Sequence, residues 1–428
     1  MPTRRAFLRQ GLILVTIGAA TPAFLAKTGI LAESGKAPGA QLPTEGPAPE
    51  PVAIAPRAGQ RSLVVVQLSG GNDGLNTVVP YADPLYYEAR PQLGVPESDV
   101  LPLDDALGLH PALAPLKARY DAGQLAVVRG VGYPNPDRSH FRSMDIWQTA
   151  EPAAYATHGW LGRYLAGCAC DDHGQAPAIA IGQTLPRAFW TESVSVPSLS
   201  NLEAYRLQPD PYWPADHAAR RHALELLEAR HEALRPYADF LGTQSLNALA
   251  SVDALQGVAS SWSTPVEYPN NGFAQGLKLI AQVIAGDLGT RLYYVQLGGF
   301  DTHGNQRNTH QRLLDQLATG LDAFQNDLEA MGRADQVLTM TFSEFGRRVH
   351  ENGSLGTDHG TAEPMFLLGA GLKGGLYGTQ PPLDDLDAGD LRYQVDFRAV
   401  YGTVLERWLG ASAEPVLGSA YAPLAFLA

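Results

Sequence analysis

The sequence predicts an α/β protein: a three-layer sandwich with a mostly parallel central sheet, helices on both faces and a partly helical insertion. Three observations predict it. Short apolar runs alternate with segments of helical spacing along most of the chain, the pattern of strands joined by crossover helices. The runs are rich in β-branched and aromatic residues and are bounded by turn formers, as buried strands are. Two of them end alike: Leu63-Val-Val-Val-Gln-Leu-Ser-Gly-Gly-Asn-Asp-Gly74 and Leu292-Tyr-Tyr-Val-Gln-Leu-Gly-Gly-Phe-Asp301 both run from strand to paired glycines to acid. Such sheets take their ligands beyond the carboxyl ends of the strands.

The first strand is expected at Leu63–Leu68. Pro111–Ala122 has helical spacing, with Leu113, Leu116 and Tyr120 on one side, and Leu125–Val131 reads as a second buried strand. Ser139 stands where a cap starts a helix running to about Thr149. Trp160–Ala166 reads as helix and Ala178–Ile181 as strand. Residues 185–270 change character: 185–214 is loop-rich, and 215–249 is dense in Ala, Leu, Glu, Arg and His, so the block reads as an insertion. Gly272–Leu288 is a predicted helix leading into the strand at Leu292. His310–Met331 places Leu313, Leu317, Leu321, Phe324 and Leu328 at spacings of three and four, one face of a long helix. Val337–Phe342 and Met365–Gly369 read as strands, and Phe397–Leu409 as the closing helix.

Composition narrows the partners. The formal net charge is −13. Residues 1–32 carry Arg4, Arg5, Arg9 and Lys27 and no acid, so their removal leaves the chain near −17. That excludes nucleic acid and anionic membrane as main partners; an anionic small molecule stays open, because a metal ion inverts the local field. Cys168 and Cys170 are the two cysteines; one residue apart, they build no disulfide scaffold.

The N-terminus reads as an export signal. Thr3-Arg4-Arg5-Ala6-Phe7-Leu8-Arg9 precedes an uncharged segment from Gln10 to Ala26. The paired arginines and mild apolar run resemble the twin-arginine signal. The apolar run falls short of the ~20 residues a membrane span needs, and Gly11, Gly18 and Pro22 break it. The expectation is a signal peptide over 1–32, cleaved after Ala23, Ala26 or Ala32, and export of the folded chain by the twin-arginine translocase. The product is periplasmic or secreted, with no stable membrane span. Residues 33–60, rich in Pro, Ala and Gly, read as a flexible linker, and 61–428 as the folded domain.

Six residues carry chemistry after strands or in the loops between them: Asp73, Asp301, His303, Glu344, Asp358 and His359. Carboxylates and imidazoles converging on one sheet edge suit a divalent metal ion, or a pair of them. Each has a plainer reading as well. Asp73 beside Asn72 and Gly74 is also a turn former. Asp301 and His303 also make a hydrogen-bonded pair, Glu344 a partner for Arg347 or Arg348, and Asp358-His359 an exposed loop.

Five stretches carry a resemblance: Gln67–Gly74, Arg138-Ser-His-Phe141, Gly299-Phe-Asp-Thr-His-Gly304, Thr341-Phe-Ser-Glu-Phe-Gly-Arg347 and Thr357-Asp-His-Gly360. From about Leu63 to its end the chain resembles a family of exported bacterial proteins catalogued only as a domain of unknown function. That family is similar in turn to the alkaline phosphatase and sulfatase superfamily, whose members hold two metals at strand ends and cleave phosphate or sulfate esters. The resemblance implies an alkaline-phosphatase-like fold and an exported metal-dependent hydrolase of such esters. One or two divalent ions (Zn, Mn, Ca or Mg) would be held by Asp73, Asp301, His303, Glu344, Asp358 and His359. Ser139 at its helix start would be the nucleophile, and Arg347 would hold an ester oxyanion. The substrate would be an anionic small molecule or ester.

The sequence also departs from the superfamily pattern. Asp301-Thr-His303 is tighter than its Asp-x-x-x-His. Glu344-Phe345 stands where it has Asp-His, and the sulfatase Cys-x-Pro-x-Arg is missing. A non-catalytic exported binding or assembly protein that retains the fold is the alternative.

Overall fold

The computed structural model describes residues 61–167, 176–192, 194–201, 221–222, 251–258 and 262–428. The elements below all belong to one compact unit, residues 57–206 and 244–428. The expected signal peptide and linker lie outside the described residues, as do Cys168, Cys170 and all but two residues of the 215–249 segment.

Nine strands build the main sheet: β1 (Ser62–Ser69), β2 (Leu125–Gly132), β3 (Ala178–Ile181), β4 (Ser198–Leu199), β5 (Leu292–Gly298), β6 (Val337–Ser343), β7 (Glu363–Leu368), β8 (Gly375–Tyr377) and β9 (Val395–Asp396). Their order is β8-β2-β7-β6-β1-β5-β3-β4, with β9 also on β2. All pairings are parallel except those of β7, which runs against both β6 and β2. The α/β expectation holds, and the sheet is mixed through that one strand. The strand at 363–368 follows β6 without an intervening crossover helix, so it returns in the opposite direction.

Alternation along β1 explains the layers. Val64, Val66 and Leu68 face one apolar cluster; Leu63 and Val65 face the other. The first cluster is covered by α3 (Ala114–Asp121), α6 (Gly272–Ala285) and α7 (Gln306–Ala330), through Leu116, Leu277, Ile280, Leu317 and Leu321. The second is covered by α4 (His140–Thr149), α5 (Trp160–Gly167) and α8 (Phe397–Thr403), through Trp147, Trp160 and Tyr401. Each such buried apolar side chain contributes roughly 1.5–3 kcal/mol of transfer free energy. Two short helices, α1 (Gly74–Thr77) and α2 (Pro84–Ala89), follow β1.

The expected insertion contributes to the body of the fold. Its residues Ser198–Leu199 extend the sheet edge on β3, and residues 251–258 are helical, with Leu255 in the first cluster. The long amphipathic helix starts at Gln306, four residues earlier than its leucine spacing indicated. Among the described residues, no helix is long and apolar enough to cross a membrane.

Candidate metal centre

The two similar phrases are neighbours in register. Gln67 pairs with Gln296, Leu68 with Leu297 and Ser69 with Gly298. Beyond that point the backbones nearly touch: the amides of Gly299 and Phe300 donate to Ser69 O at 3.2 and 3.1 Å. Gly70 has φ +120°, and a Cβ there would lie 2.3 Å from the Asp301 amide nitrogen. Only glycine fits this crossing, and it delivers Asp301 just above the ends of β1 and β5.

A second pair of loops meets the first. After β6, Gly346 and Arg348 pair with Thr361 and Asp358 through backbone bonds of 2.9 and 3.0 Å. This short antiparallel contact carries His359 back over Asp301. The buried Arg347 guanidinium then ties the layers together. It donates to Gly71 O (2.8 Å), Thr357 O (2.8 Å), Phe300 O (3.0 Å) and Gly70 O, and to Asp301 Oδ1 at 2.8 Å. The sequence reading gave Arg347 an ester oxyanion; the structure commits its donors to four backbone carbonyls and one ligand carboxylate.

Four side chains converge. His303 Nε2 and His359 Nε2 lie 3.0 and 3.1 Å from Asp301 Oδ1 and 2.9 Å from each other. His140 Nε2 approaches Asp301 Oδ2 at 3.5 Å. His140, Asp301 and His359 each offer one ligand atom, and these lie within 4.8 Å of one another. Burial works to raise the Asp301 carboxyl, but its bonds to Arg347 and His359 outweigh it and bring the pKa down to about 2. Burial lowers the His359 imidazole, so it stands neutral in this setting.

The far nitrogen of each ring is anchored. His359 Nδ1 faces Arg138 O at 2.8 Å, His140 Nδ1 faces Glu344 Oε1 at 2.9 Å, and His303 Nδ1 faces Asp358 Oδ1 at 3.3 Å. Each partner only accepts, so each Nδ1–H donates to it, and each Nε2 is turned toward Asp301. An outer oxygen fixing a histidine's tautomer and aim is the usual support of a metal ligand. Three imidazole nitrogens and one carboxylate suit a borderline divalent ion such as Zn²⁺.

The structure thus brings three of the six expected metal residues, Asp301, His303 and His359, to one point. Glu344 and Asp358 stand behind them. Glu344 is buried and accepts from the Gly70 amide at 2.9 Å as well as from His140. Asp358, lowered chiefly by its bond from Asn352, orients His303.

Asp73 does not join them. It is fully buried, its Oδ2 bound to Arg90 Nη1 at 2.6 Å and to Gln306 Nε2. Its Oδ1 accepts from the Asn76 amide at 3.4 Å, capping α1. Burial works upward on its carboxyl, and Arg90 reverses this, holding the pKa low. Asp73, expected among the metal-holding residues, is one half of a buried ion pair with Arg90.

Ser139 precedes α4 but makes no side-chain cap bond, and it is exposed. Among the described residues no hydrogen bond joins its hydroxyl to the cluster. Its neighbour His140, which the sequence leaves open between lining the site and packing inside, is the further candidate that the structure adds. Phe345, where the superfamily pattern has histidine, is buried with its ring 4.4 Å from that of His359 and 5.0 Å from that of His140, measured between centroids. The two imidazoles also meet each other edge to face, with centroids 4.5 Å apart, so the three rings form one packed cluster.

Residues 60–409 match a family model described as "Protein of unknown function (DUF1501)". The chain belongs to the DUF1501 family. No curated protein matches it. Among solved structures, this DUF1501 protein is similar to Ps i-CgsB in complex with k-i-k-neocarrahexaose, at 9% identity and a TM-score of 0.37 over 85% of this chain and 73% of that one. It is similar to the C-terminal periplasmic domain of EcEptC from Escherichia coli, in complex with Zn, at 12% identity and a TM-score of 0.36, covering 74% of each chain. A protein in the alkaline phosphatase superfamily from Vibrio parahaemolyticus matches at 9% identity and a TM-score of 0.32, over 76% of this chain and 63% of that one.

Proposed function

We propose that this DUF1501 protein holds one divalent metal ion through His140, Asp301, His303 and His359 and hydrolyses a phosphate or sulfate ester after export. The single observation that carries the metal reading is the arrangement of the three histidines. Each Nδ1 is fixed by an outer oxygen, and two Nε2 atoms face each other at 2.9 Å beside one carboxylate oxygen. Nitrogens at that distance share a cation, either a proton in an N–H···N hydrogen bond or a metal ion. Burial disfavours a proton on His359, so a metal ion is the better occupant. One ion, rather than two, follows from the loss of Asp73 to Arg90.

A bound divalent ion would supply Lewis acidity toward a phosphoryl or sulfuryl oxygen. The chain's own residues do the rest. Arg347 holds Asp301 in place. The half-exposed faces of Asp301 and His303 leave the cluster open to an incoming anion. A pocket of about 280 Å³ opens beside it, lined by Ser69, His140, Phe141, Met144, Gln148 and Arg187 among others. The Phe141 ring, 91% exposed, stands at its mouth and offers an apolar surface to the organic part of an ester. Ser139, with its free hydroxyl one residue from His140, is the proposed nucleophile.

The purified mature chain, supplied in turn with Zn²⁺, Mn²⁺, Ca²⁺ and Mg²⁺, is expected to hydrolyse 4-nitrophenyl phosphate or 4-nitrophenyl sulfate with at least one metal. His359→Ala should abolish that turnover and Ser139→Ala should strongly reduce it. Failure to turn over either ester with any of the four metals would contradict the hydrolase. Two observations favour the second reading, an exported binding or assembly protein: Phe345 fills the place where the superfamily pattern has histidine, and Arg347 is withdrawn from anion binding. That reading keeps the metal and predicts no turnover.

A further inference from the structure

We propose that Gln306 is a positioning residue for the metal centre, and that Asp73 and Arg90 act on the centre through it. The inference rests on the metal reading above and assigns a role to the residues that reading leaves out.

Gln306 is the first residue of α7 and is fully buried. Its amide oxygen accepts from Thr302 Oγ1 at 3.0 Å and from Thr357 Oγ1 at 2.6 Å. Its amide nitrogen donates to Asp73 Oδ2. Thr302 lies between Asp301 and His303, and Thr357 stands next to Asp358-His359. One side chain therefore grips both ligand-bearing loops at their threonines. A backbone bond from the Thr357 amide to Thr302 O, 3.2 Å, closes the same joint.

The orientation of the amide follows from chemistry. A carboxylate accepts only, so the end of Gln306 facing Asp73 is the NH₂ group and the end facing the two hydroxyls is the carbonyl. Asp73 can impose this because it is itself fixed by Arg90, whose guanidinium also donates to Val349 O (2.9 Å) and Arg348 O (2.9 Å). The chain of bonds runs from Arg90 to Asp73 to Gln306 and there divides to the two loops. Both carbonyl lone pairs of Gln306 are used, so neither loop can shift without breaking a buried bond. The threonine in each of the motifs Asp301-Thr-His303 and Thr357-Asp-His359 thereby has a physical reason: it supplies the hydroxyl that the shared glutamine reads.

Loss of an outer support typically lowers metal affinity about 10- to 100-fold. The test uses the full chain and two probes, Zn²⁺ competed against a chromophoric chelator, and the visible absorption spectrum of the Co²⁺-loaded protein. Thr302→Val, Thr357→Val and Gln306→Met are each expected to weaken Zn²⁺ binding by about tenfold or more and to alter the Co²⁺ spectrum. Thr302→Ser and Thr357→Ser, which retain the hydroxyl, should restore both. Leu317→Ala, in the same helix but in the apolar core, should lower thermal stability and leave affinity and spectrum unchanged. Unchanged Zn²⁺ affinity and Co²⁺ spectra in the two valine variants and Gln306→Met overturn the role of Gln306 alone. Equal loss in Leu317→Ala does the same, because the effect then tracks stability. Absence of Zn²⁺ and Co²⁺ binding by the unaltered chain overturns the metal reading and this inference with it.

Discussion

His303 and His359 face each other across 2.9 Å, Nε2 to Nε2, with Asp301 Oδ1 about equally far from both at 3.0 and 3.1 Å. The two rings come from loops more than fifty residues apart in sequence. They meet because the Gly70 crossing lifts Asp301 above the sheet and the backbone pairing around Arg347 folds His359 back onto it. An anchored Nδ1 on each ring aims its Nε2 at Asp301. The close approach of two such nitrogens beside one carboxylate oxygen is the observation from which the metal reading grows.

Glu344 is expected to act through His140. Glu344→Leu removes the acceptor of His140 Nδ1 and of the Gly70 amide together, so Zn²⁺ affinity should fall about 10- to 100-fold. Glu344→Gln keeps an acceptor oxygen and should lose far less. Calorimetric titration with Zn²⁺ measures both; equal affinities in the two variants would mean that His140 needs no such support.

Arg90 is expected to matter to stability more than any surface cation. Arg90→Met leaves the Asp73 carboxylate buried without its partner, a change that typically costs roughly 3–5 kcal/mol. The double variant Arg90→Met, Asp73→Leu removes both charges and should recover part of the loss. Urea unfolding of the three proteins decides it. A single variant within ~0.5 kcal/mol of the parent, the range of ordinary surface changes, would show that the pair is not the buried lock described above.

Acid should unfold the protein earlier than carboxylate protonation alone would do. His110 and His310 pack edge to face with ring centroids 6.1 Å apart. Burial lowers their imidazoles to about 4 and about 3, while Asp73 pulls both upward and Arg90 pushes His310 further down. In the unfolded chain both rings titrate near 6.5. Below that value the unfolded chain binds more protons, so stability is complete above about pH 6.5 and falls with pH until each folded-state value is reached. The slope is about 1.4 kcal/mol per pH unit for each fully linked imidazole. Urea midpoints between pH 7 and 4.5 should fall accordingly, and His310→Asn should flatten the fall; a midpoint constant down to pH 5 would contradict it.

Phe141→Ala should separate binding from folding. A ring exposed to 91% contributes little to stability, so the unfolding free energy should stay within ~0.5 kcal/mol. If the ring receives the organic part of an ester, KM for an aryl ester should rise while inorganic phosphate or sulfate inhibits as before. An unchanged KM would remove Phe141 from the site.

Much of this was legible in the sequence, for reasons that particular residues make clear. The strand runs at 63–68, 292–298 and 337–342 announced themselves because strands buried on both faces must be continuously apolar. Asp301 and His303 stood out as candidates because they follow paired glycines at a strand end, and His359 because it lies between glycines in the loop joining two strands. The direction of β7 was not, since an apolar run has no arrow. Asp73 read as a ligand because its local phrase matches that of Asp301; its true partner, Arg90, lies seventeen residues on and is selected only by burial. Arg347 read as an anion holder because no sequence signal distinguishes a free guanidinium from one spent on carbonyls. His140 stood beside the expected nucleophile, and only the tertiary approach of α4 to the end of β6 brings it to Glu344 and Asp301.

The most direct measurement is the metal content of the purified protein, by elemental mass spectrometry after removal of adventitious ions. One equivalent of a divalent metal is expected per chain, lost in Asp301→Ala and in His359→Ala while both variants remain folded. A parent protein that carries no divalent metal, and takes up neither Zn²⁺ nor Co²⁺ when offered, would contradict the metal centre and everything proposed from it.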